Sequence, residues 1–180
     1  MLMTTTEIEN FLYTAYSKAE YELMFQKTCQ SRELFLTIWE MVRDRPPEKG
    51  WRLLWIMDHA TEKDHRFILP ILDELYQLVL RTKNESFIRH AMKLILRCPI
   101  DEEYAGALLE RSIEWMNNAR AKVSTQGLGL EFFYQVCLIY PELEGELLAH
   151  MDAMIERKPG AGMSVRIRQI REQLNKKARP

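Results

Sequence analysis

Glycine and proline are scarce in this chain, seven of each in 180 residues. They gather at boundaries instead of recurring every few residues. That excludes a sandwich or barrel of many short strands and favours helices joined by short turns. Cysteine is scarcer still. Cys29, Cys98 and Cys137 are odd in number and scattered, so they frame no disulfide scaffold and lack metal-ligand spacing, and a reducing cytoplasm is the expected compartment. No apolar run approaches the ~18 residues of a membrane span. The opening stretch MLMTTTEIENF lacks the charged and apolar regions of a secretion signal. Nor does one sign of charge dominate: 25 Lys and Arg stand against 26 Asp and Glu, a net charge of −1. A chain-wide basic field for nucleic acid is therefore absent.

What is present is helical patterning. TTTEIENFLYTAYSKAEYELMFQKT reads as a first helical region, with capping-box spacing at Thr4 and Glu7 or at Thr6 and Glu9. SRELFLTIWEMVRD follows, with Leu34, Ile38, Met41 and Val42 on one face, and stops before Pro46-Pro47. A helix near 47–60 comes next. Then Ile68, Ile71, Leu72, Leu75 and Val79 form a helical stripe. Asn84 is a good N-cap for ESFIRHAMKLILRC, which Pro99 ends. DEEYAGALLERSIEWMNNA places its acids in the favourable first turn. GLGLEFFYQVCLIY and PELEGELLAHMDAMIERK form a further pair, and SVRIRQIREQLNKKA is the last helix.

These pairs repeat. Leu72, Leu109 and Leu148 align at spacings of 37 and 39, as do Ile71, Leu108 and Leu147, and Val79, Met116 and Ile155. The preceding helices align too, Arg52 with Arg89 and Leu54 with Ala91, both at 37. A two-helix unit of this length cannot bury its apolar face alone, so neighbours stack into a continuous core. The period predicts an all-α fold, an α-α superhelix of HEAT/armadillo-like hairpins, over a closed four-helix bundle. One domain over 1–180 is expected, with N-terminal helices in 1–45, repeat units at 46–82, 84–120 and 124–158, and a capping helix at 161–178. In GWRLLWIMDHA, Trp51, Leu53, Leu54, Trp55, Ile56 and Met57 make the helix apolar nearly all round. Such a helix is sandwiched between layers, with both tryptophans filling core volume and Arg52 and Asp58 at an edge.

From about Pro46 to Leu174 the chain resembles small HEAT-like α-solenoid proteins of bacteria. GWRLLWIMDHA, FILPILDELYQLV, IRHAMKLIL, YPELEGELLAHMDAMIE and VRIRQIREQL carry the resemblance: an Arg-bearing first helix alternates with a Leu-rich second one. It implies an architecture. Some similar proteins carry the label adenylosuccinate lyase. Lyases of that superfamily use a flexible Ser-rich signature loop. The six serines here are isolated, so no lyase residue carries over.

The remaining candidates for chemistry are few. His59, His65, His90 and His150 are far apart and form no HxxxH or HExxH, so no metal and no cofactor is expected. Cys98, at a helix end, and Cys137, on an apolar stripe, read as buried structural thiols. Gly127 and Gly129 in TQGLGLEFF have no strand before them and no Lys-Ser/Thr after them, so they loosen a helix start or permit close helix contact. Some HEAT-like proteins resemble DNA alkylation-repair glycosylases, which combine aromatics and an acid on a basic concave face. Trp51, Trp55 and Asp58 would be the equivalents here, but residues 46–160 carry no basic excess.

The clearest charge feature is terminal. Residues 161–180 hold six Lys and Arg against one Glu. There Ile167, Ile170 and Leu174 would dock on the preceding repeat while Arg166, Arg168, Arg171, Lys176 and Lys177 spread over the rest. A terminal repeat needs a polar outer face in any case. The expectation is a non-enzymatic scaffold that binds a protein or peptide, with Trp115, Arg166, Arg168, Arg171 and Lys176 as interaction residues and no membrane contact. A nucleic-acid-processing enzyme is the alternative.

Overall fold

The computed structural model describes residues 3–14 and 17–177. Among them are ten α-helices, two short 3-10 turns and no strand. The helices are α1 (Thr5–Thr14), α2 (Lys18–Gln30), α3 (Arg32–Arg43), α4 (Pro47–Ala60), α5 (Leu72–Arg81), α6 (Glu85–Ile95), α7 (Glu102–Asn117), α8 (Val123–Ile139), α9 (Glu144–Glu156) and α10 (Ala161–Lys177). The all-α expectation holds.

Local chemistry sets most of the boundaries. Thr4 and Glu7 form the expected capping box, Glu7 Oε2 accepting from Thr4 N at 2.7 Å. The first helical region contains two helices, α1 and α2. Ser17 and Glu20 make a second capping box, which starts α2. Ala15 and Tyr16, between the two, lie outside the described residues. Ser31 then ends α2 and caps α3, its Oγ accepting from Leu34 N at 3.1 Å. Asn84 caps α6 and Asp101 caps α7, as their side chains lead one to expect.

The chain divides into two compact units, Met1–Pro99 and Ile100–Pro180. In the first, α4 packs against α2, α3 and α6, and α5 against α6. Leu53, Leu54, Ile56 and Met57 of α4 are fully buried, joined by Phe35 and Ile38 of α3, Tyr76 of α5 and Phe87 of α6. Leu54 and Ala91, aligned at 37 residues in the sequence, are both completely buried.

In the second unit the main contact is α7 on α8. Gly129, in the middle of α8, is what permits it. A Cβ there would stand 2.8 Å from the Ser112 carbonyl oxygen, so only glycine lets the two backbones approach this closely. Met116, Met151, Met154 and Met163 fill the core together with Phe133 and Leu147. Ile167, Ile170 and Leu174 dock α10 onto that core as expected. Arg157, beyond the end of α9, donates to the Met116 and Asn117 carbonyls at 2.8 and 3.1 Å and so closes the C-terminus of α7.

Candidate interaction groove

The first unit holds a buried acid. Asp58, on α4, is completely inaccessible. Its Oδ2 accepts from His90 Nδ1 at 2.9 Å and from Lys93 Nζ at 3.1 Å, and its Oδ1 accepts from Arg97 Nη2 at 2.5 Å. All three donors belong to α6 or the turn after it. Burial alone would push the carboxyl up. The hydrogen bonds from His90 and Arg97 and the charges of Lys93 and Arg97 outweigh it and hold the pKa at about 2. The same side chain that could have been an exposed edge acid is therefore a staple between successive first helices.

His90 carries this network to the surface. Arg89 Nη2 lies 3.1 Å from His90 Nε2. A guanidinium can only donate, so Nε2 accepts and the ring proton sits on Nδ1, facing Asp58. The ring also lies parallel to Trp51, with 12° between planes and 6.3 Å between centroids. Arg52 sits over the other residue of that pair, its guanidinium carbon 5.6 Å from the Trp51 centroid.

Trp55 continues the wall one turn further along α4. Tyr21 approaches it at 4.7 Å and Phe25 edge-on at 5.4 Å, both from α2. Phe25 in turn stacks on His59 at 4.8 Å, and Tyr21 meets Phe11 of α1 at 5.2 Å. Both tryptophans are half-buried. That departs from the expected core role. The face of α4 holding Leu53, Leu54 and Met57 fills the interior, so Trp51 and Trp55 are left on a seam that α1, α2 and α6 only partly cover.

That seam is a cavity of about 430 Å³, lined by Leu12, Tyr13, Tyr21, Trp51 and Trp55 with Arg52 and Arg89. A second cavity of about 470 Å³ shares Leu12, Tyr13, Trp51 and Arg52 and adds Arg45, Glu48 and Lys49. Shared walls make the two one groove along α4. Each half has the volume of an ordinary ligand site. One end is aromatic and the other is polar and mainly basic. The first unit as a whole has fourteen basic and fourteen acidic residues, so this excess is local. Arg45 is paired with Glu9 across the groove edge.

A family model described as a HEAT repeat domain matches residues 8–175. The chain belongs to the HEAT repeat family. No curated protein and no solved structure matches it.

The residues expected to make contacts in this HEAT repeat protein are placed as follows. Trp115 is 6% exposed, with Arg111 over its ring at 5.8 Å, so its surface is spent on packing within the second unit. Arg166 donates to the Gly127 carbonyl at 2.9 Å. Arg171 is paired with Asp152 of α9. Arg168 is exposed and 4.0 Å from Glu172, and Lys176 is exposed. The side chain of Lys177 and residues 178–180 lie outside the described residues. The basic face of α10 is thus partly neutralised by acids of its own unit. Asp58 lies behind the groove, sealed by its three partners, and offers no accessible acid beside Trp51 and Trp55. Cys98 is buried, and that burial pushes its thiol up to about 11. Among the described residues no helix is long and apolar enough to cross a membrane.

Two parts of the groove carried a sequence signal. Trp51 and Trp55 are four apart on one helix, and Arg52 and Arg89 occupy the same place in successive repeats. Tyr13 and Tyr21 carried none, because their position depends on the break between α1 and α2.

Proposed function

We propose that this HEAT repeat protein is a non-catalytic interaction module that holds a segment of a partner protein in the groove along α4. The observation that carries this is the arrangement of half-buried aromatics and arginines in a continuous groove of the first unit. Trp, Tyr and Arg are the side chains on which binding energy concentrates in protein interfaces. Tyr13, at the rim, is 77% exposed, a cost the fold alone does not require. Arg168 and Lys176 on α10 are kept as a subsidiary contact patch, because both stand on the exposed face of their helix. Trp115, Arg166 and Arg171 serve the fold instead.

The test is site-directed photo-crosslinking in the source cell. A photoreactive amino acid replaces Tyr13 in one strain and Ala107, exposed on α7, in another. A discrete protein adduct from the Tyr13 position, absent from the Ala107 position and lost on Trp55→Ala, is the expected result. Equal adducts from both positions, or none from Tyr13, sink the reading. Adducts to nucleic acid at Tyr13 would favour the nucleic-acid-processing alternative.

A further inference from the structure

Resting on the groove as the binding site, we infer that its occupant is an extended acidic peptide segment that also carries a large apolar anchoring side chain. Charge complementarity argues for the acid. Arg52, Arg89 and Lys49 line the groove against Glu48, with Arg45 beside them already paired to Glu9, in a unit whose total charge is balanced. A partner with carboxylates meets cations here that it meets in no such density over the unit as a whole.

Two of the cations recur at one step of the repeat. Arg52 and Arg89 are equivalent positions on α4 and α6, which pack directly against each other. The cavity that both arginines line also holds Tyr21, Trp51 and Trp55, which offer an apolar side chain a seat beside the two cations.

Pre-organisation strengthens the case at Arg89. Its guanidinium is held by His90, which Asp58 holds in turn, so this cation is fixed before a ligand arrives. Asp58 and His90 are positioning residues here: they touch Arg89's network and not the ligand. Arg52, stacked over Trp51 and exposed, supplies the adaptable partner. A single-stranded nucleic acid could also stack on these rings. The balanced charge of the unit offers no extended basic track for a phosphate backbone.

The experiment is selection from a random peptide display library on the full chain, with Trp55→Ala as the counter-selection. Recovered peptides are expected to carry Asp or Glu together with an aromatic or Leu. The consensus peptide is then synthesised and titrated. Arg52→Glu, at an exposed position that leaves the fold intact, should weaken it about ten-fold or more, and added salt should weaken it too. A peptide with lysine in place only of the acid that faces Arg52 should recover binding to Arg52→Glu. Neutral or basic peptides that bind and are lost on Trp55→Ala would overturn the acidic assignment and leave the groove standing. No enrichment over either Trp55→Ala or Tyr13→Ala would overturn both. An oligothymidylate that binds the full chain more tightly than the consensus peptide, and is lost on Arg52→Glu, would also overturn it.

Discussion

Replacing Asp58 with Asn keeps its shape and removes its charge. The carboxylate accepts from His90, Lys93 and Arg97 at once. An Asn side chain has one acceptor oxygen, and its NH2 must face at least one of those donors. Arg97 also donates to the Asp58 carbonyl at 2.9 Å and to Thr61 Oγ1 at 3.2 Å, so it cannot leave without breaking a second link. Taking one partner from a buried pair typically costs 3–5 kcal/mol. Lys93 is 41% exposed and can turn to water, which puts the expected loss near the lower end, about 3 kcal/mol. That is a large share of the ~5–15 kcal/mol that holds a domain together. It corresponds to a Tm lower by about 10 °C.

The acid limb gives an independent check. Asp58 is held at about 2 against an ordinary 3.8, and each pKa unit is worth 1.36 kcal/mol, so its ionisation contributes about 2 kcal/mol. Because the folded value is the lower one, that contribution is complete above the unfolded value and is lost as pH falls from about 4 through about 2. Thermal and denaturant unfolding followed by circular dichroism from neutral to acid pH measures both effects. The wild-type chain should lose stability through that window more steeply than Asp58→Asn. A Tm within about 2 °C of wild type at neutral pH, or an acid limb of unchanged slope, would refute the idea that Asp58 joins α4 to α6.

Gly129→Ala should destabilise by about 1 kcal/mol or more, since overpacking against the Ser112 backbone exceeds the gain in helix propensity; Gly106→Ala, with nothing within 4 Å, should stabilise by up to about 1 kcal/mol, and both are read by denaturant melts. Under native conditions a maleimide should label exposed Cys29 quickly, and buried Cys98 and Cys137 only after unfolding; Cys98 reacting at the rate of Cys29 would contradict its raised pKa. Arg157→Ala should cost about 1–2 kcal/mol and raise amide exchange in the last turn of α7, where Met116 and Asn117 lose their donor.

Most of the helical architecture was legible because it is written in short-range patterns. Of the stripe of Ile68, Ile71, Leu72, Leu75 and Val79, all but the half-buried Leu72 are buried as the spacing predicts, and Asn84 caps the helix it precedes. The break before α2 was missed although Ser17 and Glu20 spell a capping box, because the apolar pattern runs on without interruption through the break. The groove was harder to read. A tryptophan on an apolar helix looks the same whether a neighbour covers it fully or half, and coverage depends on how α1 and α2 lie against α4. The role of Asp58 was hidden for a similar reason. Its partners are 32 to 39 residues away, and only the stacking of α6 on α4 brings them to it.

That stacking ties stability to recognition. In a repeat protein each first helix repeats the position of the one before, so a residue type useful at one site recurs one step along. Arg52 and Arg89 are such a pair, and so the groove gains two cations from a single pattern. The second of them is fixed by the contact that joins the repeats: Asp58 reaches from α4 to His90 on α6, and His90 accepts from Arg89. Loosening the junction therefore loosens the wall proposed to bind the partner. Asp58→Asn should lower affinity for a groove ligand even at temperatures where the chain remains folded. Arg157→Ala, in the other unit, should lower stability and leave that affinity unchanged. If both substitutions reduce affinity only in proportion to the unfolded fraction, the network behind Trp51 is a matter of folding alone.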